Sequence, residues 1–176
     1  MAKSAQMYKE AYGDETIYIT STGNYDYSGA GWRAGDKTIL VNVAMADGNF
    51  IRLPEATTDH LGLHVKVVLG IAVLDRLYVG FVDSVIQGAA VAVGDTDEGQ
   101  GSSLDYATFI ADNGDGYNSI KFDLDTVAFA GGTGGTVLDF WYTGAADVVL
   151  YKGNLISEID NPTIATHATT TAVNAY

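Results

Sequence analysis

Apolar residues recur at every second position through much of this chain, and no long run keeps the 3.6-residue spacing of an amphipathic helix. Side chains alternate between the two faces of a strand, so this pattern buries one face of a sheet and leaves the other wet. In "TILVNVAM" the apolar set is Ile39, Val41, Val43 and Met45. "LHVKVVL" turns Leu63, Val65, Val67 and Leu69 inward and His64 and Lys66 outward. "RLYVGFV" aligns Leu77, Val79 and Phe81, and "SIKFDLD" sets Ile120, Phe122 and Leu124 against Lys121, Asp123 and Asp125. "TVLDFWYT" and "DVVLYKG" read as two strands around "GAA", and "TIYITS" and "YATFIA" add two more.

Turn signals separate these runs. The chain holds 21 glycines and two prolines, a balance that suits tight turns between strands and not a disordered linker. "DGN" (47–49) is a hairpin candidate, "GDTDEGQGSS" (94–103) a longer polar loop and "AGGTGG" (130–135) a glycine-rich connection. An all-β, antiparallel domain of sandwich or barrel type follows, centred on residues 38–156. Residues 1–37 hold five of the eleven tyrosines plus Trp32 but one strand-like run, with a short helix possible over Ala5 to Tyr12. They read as an aromatic-rich arm lying across a neighbour or its own sheet, and residues 157–176 as an extended tail.

Charge and composition exclude several classes. Nine basic against 22 acidic residues give a net charge of −13, the wrong sign for a nucleic-acid backbone or an anionic membrane. There is no cysteine, hence no disulfide, thiolate zinc site or cysteine nucleophile. The charged N-terminus does not read as a secretory signal, and the uncharged piece Ser84 to Gly94 is too short to span a bilayer. A soluble, cytosolically made protein is expected.

The motifs that could carry chemistry fail on spacing. "ADNGDGYN" (111–118) invites a calcium loop, and counting from Asp112 puts Asp123 at the twelfth position. The third and fifth positions are Gly114 and Gly116, however, and the sixth is Tyr117, so the EF-hand register is lost. Asn-Gly and Asp-Gly are strong turn pairs, and a hairpin is expected there. "GGTGG" lacks the following lysine and helix of a phosphate loop. His60 and His64 straddle a glycine and enter a strand, without the glutamate of a zinc-protease motif. No GxSxG elbow presents a serine nucleophile. Neither catalytic residues, metal ligands nor a cofactor site are therefore nominated, and the chain reads as a non-enzyme. Its exposed-looking aromatics could stack on sugars or anchor a protein interface.

The series "FIRLPEAT" (50–57), "HVKVVLG" (64–70), "SVIQGAAVAV" (84–93) and "LDFWYTGAADVVLYKGNL" (138–155) resembles tailed-phage capsid decoration, or cement, proteins. The shared pattern is an LP-A start, a β run, a V-x-Q-G turn, a glycine-rich loop and a closing hairpin ending in K-G. It covers roughly residues 50–156. The resemblance implies a structural virion protein on the outer surface of the capsid, a homotrimer bridging neighbouring subunits of the major capsid protein. The expected body is a jelly-roll-like β-sandwich, with Tyr8, Tyr12, Tyr25, Tyr27 and Trp32 as partner-binding residues. On that reading, deleting residues 1–35 leaves a folded domain that no longer binds heads. The alternative is a tail-fibre or spike module binding host glycans. The turn reading of "ADNGDGYN" predicts that calcium leaves the melting temperature unchanged. A calcium-dependent rise abolished by Asp112→Ala with Asp115→Ala would establish a cation site instead.

Overall fold

The computed structural model of the protein describes residues 15–74, 76–95, 104–111, 118–123, 132–157 and 165–167. Among the described residues twelve strands run in order: β1 (Glu15–Ile19), β2 (Tyr25–Asp26), β3 (Gly35–Val41), β4 (Asn49–Arg52), β5 (Leu63–Leu69) and β6 (Arg76–Gly80) come first. They are followed by β7 (Val85–Asp95), β8 (Leu104–Ala111), β9 (Ser119–Asp123), β10 (Val137–Tyr142), β11 (Val148–Ser157) and β12 (Ala165–His167). Among the described residues there is no α-helix, and a single 3-10 turn spans Thr58–His60.

The strands form two mixed sheets, one of seven strands in the order β1-β3-β5-β10-β11-β7-β8 and one of five in the order β12-β9-β6-β4-β2. From β1 to β6 the chain changes sheet at every strand, and each new strand lies parallel to the one laid down two strands earlier. Ile17 sits beside Ile39 and Ile39 beside Val67, while Tyr25 sits beside Ile51 and Ile51 beside Val79. The first half is thus three stacked coils. Later strands complete it, β10 joining β5 and β9 joining β6 in antiparallel fashion.

Of the ten pairings, five are parallel and five antiparallel, so the purely antiparallel arrangement expected is replaced by a mixed one. Alternation reports which face of a strand is buried and carries no information on the direction of its neighbour. For the same reason "DGN" is a turn from β3 in one sheet to β4 in the other, with Gly48 at φ 73°. "ADNGDGYN" does not close a hairpin either, because β8 pairs with β7, whereas β9 pairs with β6 and β12. Residues 112–117 themselves lie outside the described residues, as does the helix expected near Ala5 to Tyr12. The hairpin expected around "GAA" is present between β10 and β11.

The boundary expected at residue 37 falls inside β3, and β1 pairs with β3 along its whole length. Ile19 is fully buried, so truncation at residue 35 would remove two strands and part of the core. An intact truncated domain is therefore not expected. At the other end, β12 pairs with β9, so this part of the tail is folded back on its own chain.

One core cluster draws on the buried faces of both sheets. In β5, Leu63, Val65, Val67 and Leu69 are at most 1% exposed, and each such side chain contributes about 1.5–3 kcal/mol on burial. Phe81, just after β6, meets Phe140 of β10 edge-to-face at 5.7 Å.

The connections are tied together at Glu55. Its carboxylate accepts hydrogen bonds from the backbone N–H groups of Val82 (2.7 Å), Asp83 (3.2 Å) and Ser84 (2.7 Å) and from the Ser84 hydroxyl (2.7 Å). That hydroxyl in turn accepts from the Ala56 N–H at 2.7 Å. Tyr142 donates its phenol to the Pro54 carbonyl at 2.9 Å, and burial together with the Glu55 charge pushes that phenol's pKa up, keeping the proton in place. The Asp147 N–H reaches the Ala56 carbonyl at 3.2 Å, and the Val85 N–H reaches that of Asp147 at 2.8 Å. The "LPEA" segment therefore joins the β6–β7 connection to the β10–β11 hairpin.

The Q-G and K-G pairs are structural as well. A Cβ on Gly88, which has φ 156°, would overlap the carbonyl oxygen of Tyr151 in the neighbouring strand. One on Gly153 would overlap the Tyr151 hydroxyl. The two glycines make room for a tyrosine that is 4% exposed and packs 5.4 Å from Phe140.

Glu55→Ala strips three backbone donors and one hydroxyl of a charged acceptor. It should lower the unfolding free energy by on the order of 3 kcal/mol. Glu55→Gln, which keeps one acceptor oxygen, should lose less. Urea denaturation of the two variants against the wild type checks the ranking, and equal stability of all three would contradict it.

Candidate functional site

Of the residues nominated as anchors, Tyr8 and Tyr12 lie outside the described residues. Tyr25, Tyr27 and Trp32 are half-buried and pack against the core cluster. The Tyr25 phenol donates to the Ser21 carbonyl at 2.6 Å, and Tyr27 stacks on Trp32 with ring centroids 5.2 Å apart. Burial first, and the neighbouring Tyr25 second, push the Tyr27 phenol up. The Tyr27 N–H extends the β2–β4 pairing by donating to the Arg52 carbonyl at 2.9 Å. These three aromatics close the edge of the smaller sheet. They lie together, but as a packed segment of the fold and not as free side chains.

Exposed and half-exposed residues line the outer face of the seven-stranded sheet across its described strands. In β5 buried and half-exposed residues alternate strictly, and in β10 and β11 the outward set includes Trp141 and Leu150, 37% and 40% exposed. Strand register arranges this face in rows. One runs from Tyr18 through Leu40, Val68, Val137 and Asn154 to Val91, and reaches Thr108 on β8. Every member but Asn154 and Thr108 is apolar. Tyr18 is 65% exposed and Val91 39%. The second row holds Thr16, Thr38, Lys66, Asp139, Lys152 and Ala89. The third holds Asp36, His64, Trp141, Leu150 and Gln87.

His64 joins the polar rows. Its Nδ1 lies 3.0 Å from an Asp36 oxygen and its Nε2 lies 2.9 Å from Asp139, which Lys66 approaches at 3.9 Å. The imidazole also stacks on Trp141, with centroids 5.0 Å apart and planes 2° from parallel. It thereby links β3, β5 and β10. Both nitrogens are engaged by carboxylates, so neither is left to move a proton on a substrate. A shallow depression of about 180 Å³ opens beside it among Asp36, Lys37, Thr38 and Lys66. His60, four residues earlier, is elsewhere, donating from Nδ1 to the Glu55 carbonyl at 2.7 Å. Among the described residues no group of three or more His, Asp or Glu is arranged to hold a metal ion, and no helix is long and apolar enough to cross a membrane.

The apolar row has a sequence signal that alternation alone passes over. Ile39-Leu40, Val67-Val68 and Val137-Leu138 are apolar doublets, and a doublet in a strand must send one member to each face. With Tyr18 and Val91 they compose the row.

A scan against models of known protein families, a search of curated proteins and a search of solved structures each find no match to this chain.

The aromatic edge also carries an ion pair, Asp26 with Arg52 at 2.7 Å. Burial alone would raise the Asp26 carboxyl, but hydrogen bonds from Ser28 and the Arg52 charge outweigh it and hold the pKa below the usual carboxylate value. A depressed folded-state pKa stabilises above the unfolded pKa of about 4 and loses its effect as pH falls through the folded value. Asp26→Asn should thus cost less than about 1 kcal/mol at neutral pH, the carboxylate being half-exposed, and the difference from wild type should shrink below about pH 4. Urea titrations over a pH series measure it, and a gap that widens in acid would contradict the assignment.

Proposed function

We propose that this protein is a structural component of a phage virion, a decoration protein on the outer surface of the capsid whose partners are the major capsid protein and itself. The observation that carries the reading is the apolar row crossing the open seven-stranded face. From Tyr18 to Val91 it crosses five strand spacings, roughly 24 Å. An exposed feature of that reach, apolar at every step but Asn154, marks a contact surface. A broad flat face suits a protein that works by being joined to others, whereas catalysis on a small substrate is served by a concave site with convergent polar groups. In the same reading the two sheets are the layers of a β-sandwich, a stiff plate with its turns locked at Glu55 and Tyr151.

The glycan-binding alternative gains less. A sugar would stack on an open aromatic face, and one face of Trp141 is taken by His64.

Purified virions test the proposal directly. The protein should copurify with intact particles at on the order of hundreds of copies, as symmetry-repeated shell sites require. Purified protein added to undecorated heads should bind to saturation. A copy number of a dozen or fewer would make it a tail part, and absence from virions would end the virion reading.

A further inference from the structure

We propose that the open face of the seven-stranded sheet is covered by the same face of a second copy of this chain. This rests on reading that face as the contact surface, and three observations name the occupant.

The first is charge. The chain carries a net −13, yet the three rows contain two aspartates, Asp36 and Asp139, against two lysines, Lys66 and Lys152. These rows are neutral, two minus two, on a molecule that repels its own kind elsewhere. Two such molecules approach at least cost there, since close like charges across an interface are penalised.

The second is symmetry. The apolar row runs straight across the sheet in register, so a two-fold axis along it sets Tyr18, Leu40, Val68, Val137 and Val91 each on its own counterpart. The same axis carries the Lys66–Asp139–Lys152 row to the far side of the row, clear of its twin. A patch complementary to itself is the requirement of an isologous contact. The trimer that the resemblance implies would need two different patches, head to tail, and this face does not supply a pair.

The third is area. Seven strands and the five-residue depth of the rows give a footprint of roughly 34 by 17 Å. That flat area, on the order of 600 Å², is raised by side-chain relief toward the roughly 800 Å² per partner of a stable interface. Two sheets stacking face to face keep their strands within about 30° of alignment, which such an axis permits.

Sedimentation equilibrium over about 1 to about 100 µM tests it on the full chain. The wild type should sediment as a species of twice the 18.6 kDa chain mass. Val68→Lys places a charge at the centre of the row in both copies and should raise the dimer dissociation constant by about 100-fold or more. Tyr18→Lys, at a position 65% exposed in the single chain, should also weaken the dimer and keeps the test open if the first variant unfolds. Circular dichroism and melting of the variants establish that they are folded. A wild type that remains monomeric, a trimer, or a dimer equally tight in the folded variants overturns the proposal. Virion copurification is read separately. A monomeric protein that still coats particles overturns the second copy alone, and a dimer missing from virions overturns the decoration reading alone.

Discussion

The architecture depends on one half-buried carboxylate. Glu55 gathers three successive backbone N–H groups and a hydroxyl, all from the Val82–Ser84 connection. Those donors have no strand partner to satisfy them, and a charged acceptor is about twice as effective as a neutral one. With this connection held, β6 ends and β7 begins in fixed positions, although they belong to different sheets. The same short segment then holds the β10–β11 hairpin through Pro54 and Ala56. The chain can therefore leave the regular coils and build the wider part of the large sheet without a loosely held junction.

Around Tyr151 the constraint is steric. The hydroxyl end of the ring occupies space that Gly153 in its own strand leaves open, and Gly88 in the parallel neighbour admits the Tyr151 backbone at close approach. That hydroxyl is buried with no hydrogen-bond partner among the described residues, and burial pushes its pKa up. A polar atom in that position costs stability, so the ring's packing against Phe140 must outweigh it. The short motifs that make this chain look familiar, LP-A, Q-G and K-G, coincide with these two sites. They are signatures of how the body is held together, and two of their members, Gln87 and Lys152, also take places in the rows of the open face.

What could be read in the sequence divides along physical lines. Strand positions and buried faces were legible, because the alternation at Leu63–Leu69 or Leu77–Phe81 is a local consequence of pleating. Strand direction and partnership were not, since they are decided by pairings distant in sequence. Turn chemistry at "DGN" is the same whether the chain returns to its own sheet or crosses to the other. The aromatics of residues 25–32 read as anchors by composition, and composition does not show that Tyr25, Tyr27 and Trp32 also pack part of each ring on the core. The open face was hidden for a related reason. Its row is assembled from strands between residues 18 and 137 that meet only when the sheet forms, although each apolar doublet pointed to it.

The three stacked coils give the fold a direction in which it can lengthen. Within them every strand pairs only with the strand of the coil before and the coil after. Solenoid-like stacks built on such nearest-neighbour contacts have stabilities close to a sum over repeats and interfaces. A chain of this kind can gain a coil by inserting one turn's worth of sequence, adding a strand to each sheet while Glu55 and the Tyr151 pocket stay as they are. The breadth of the outer face is then set by coil number, and its contact area can be retuned in steps of one strand without redesigning the core.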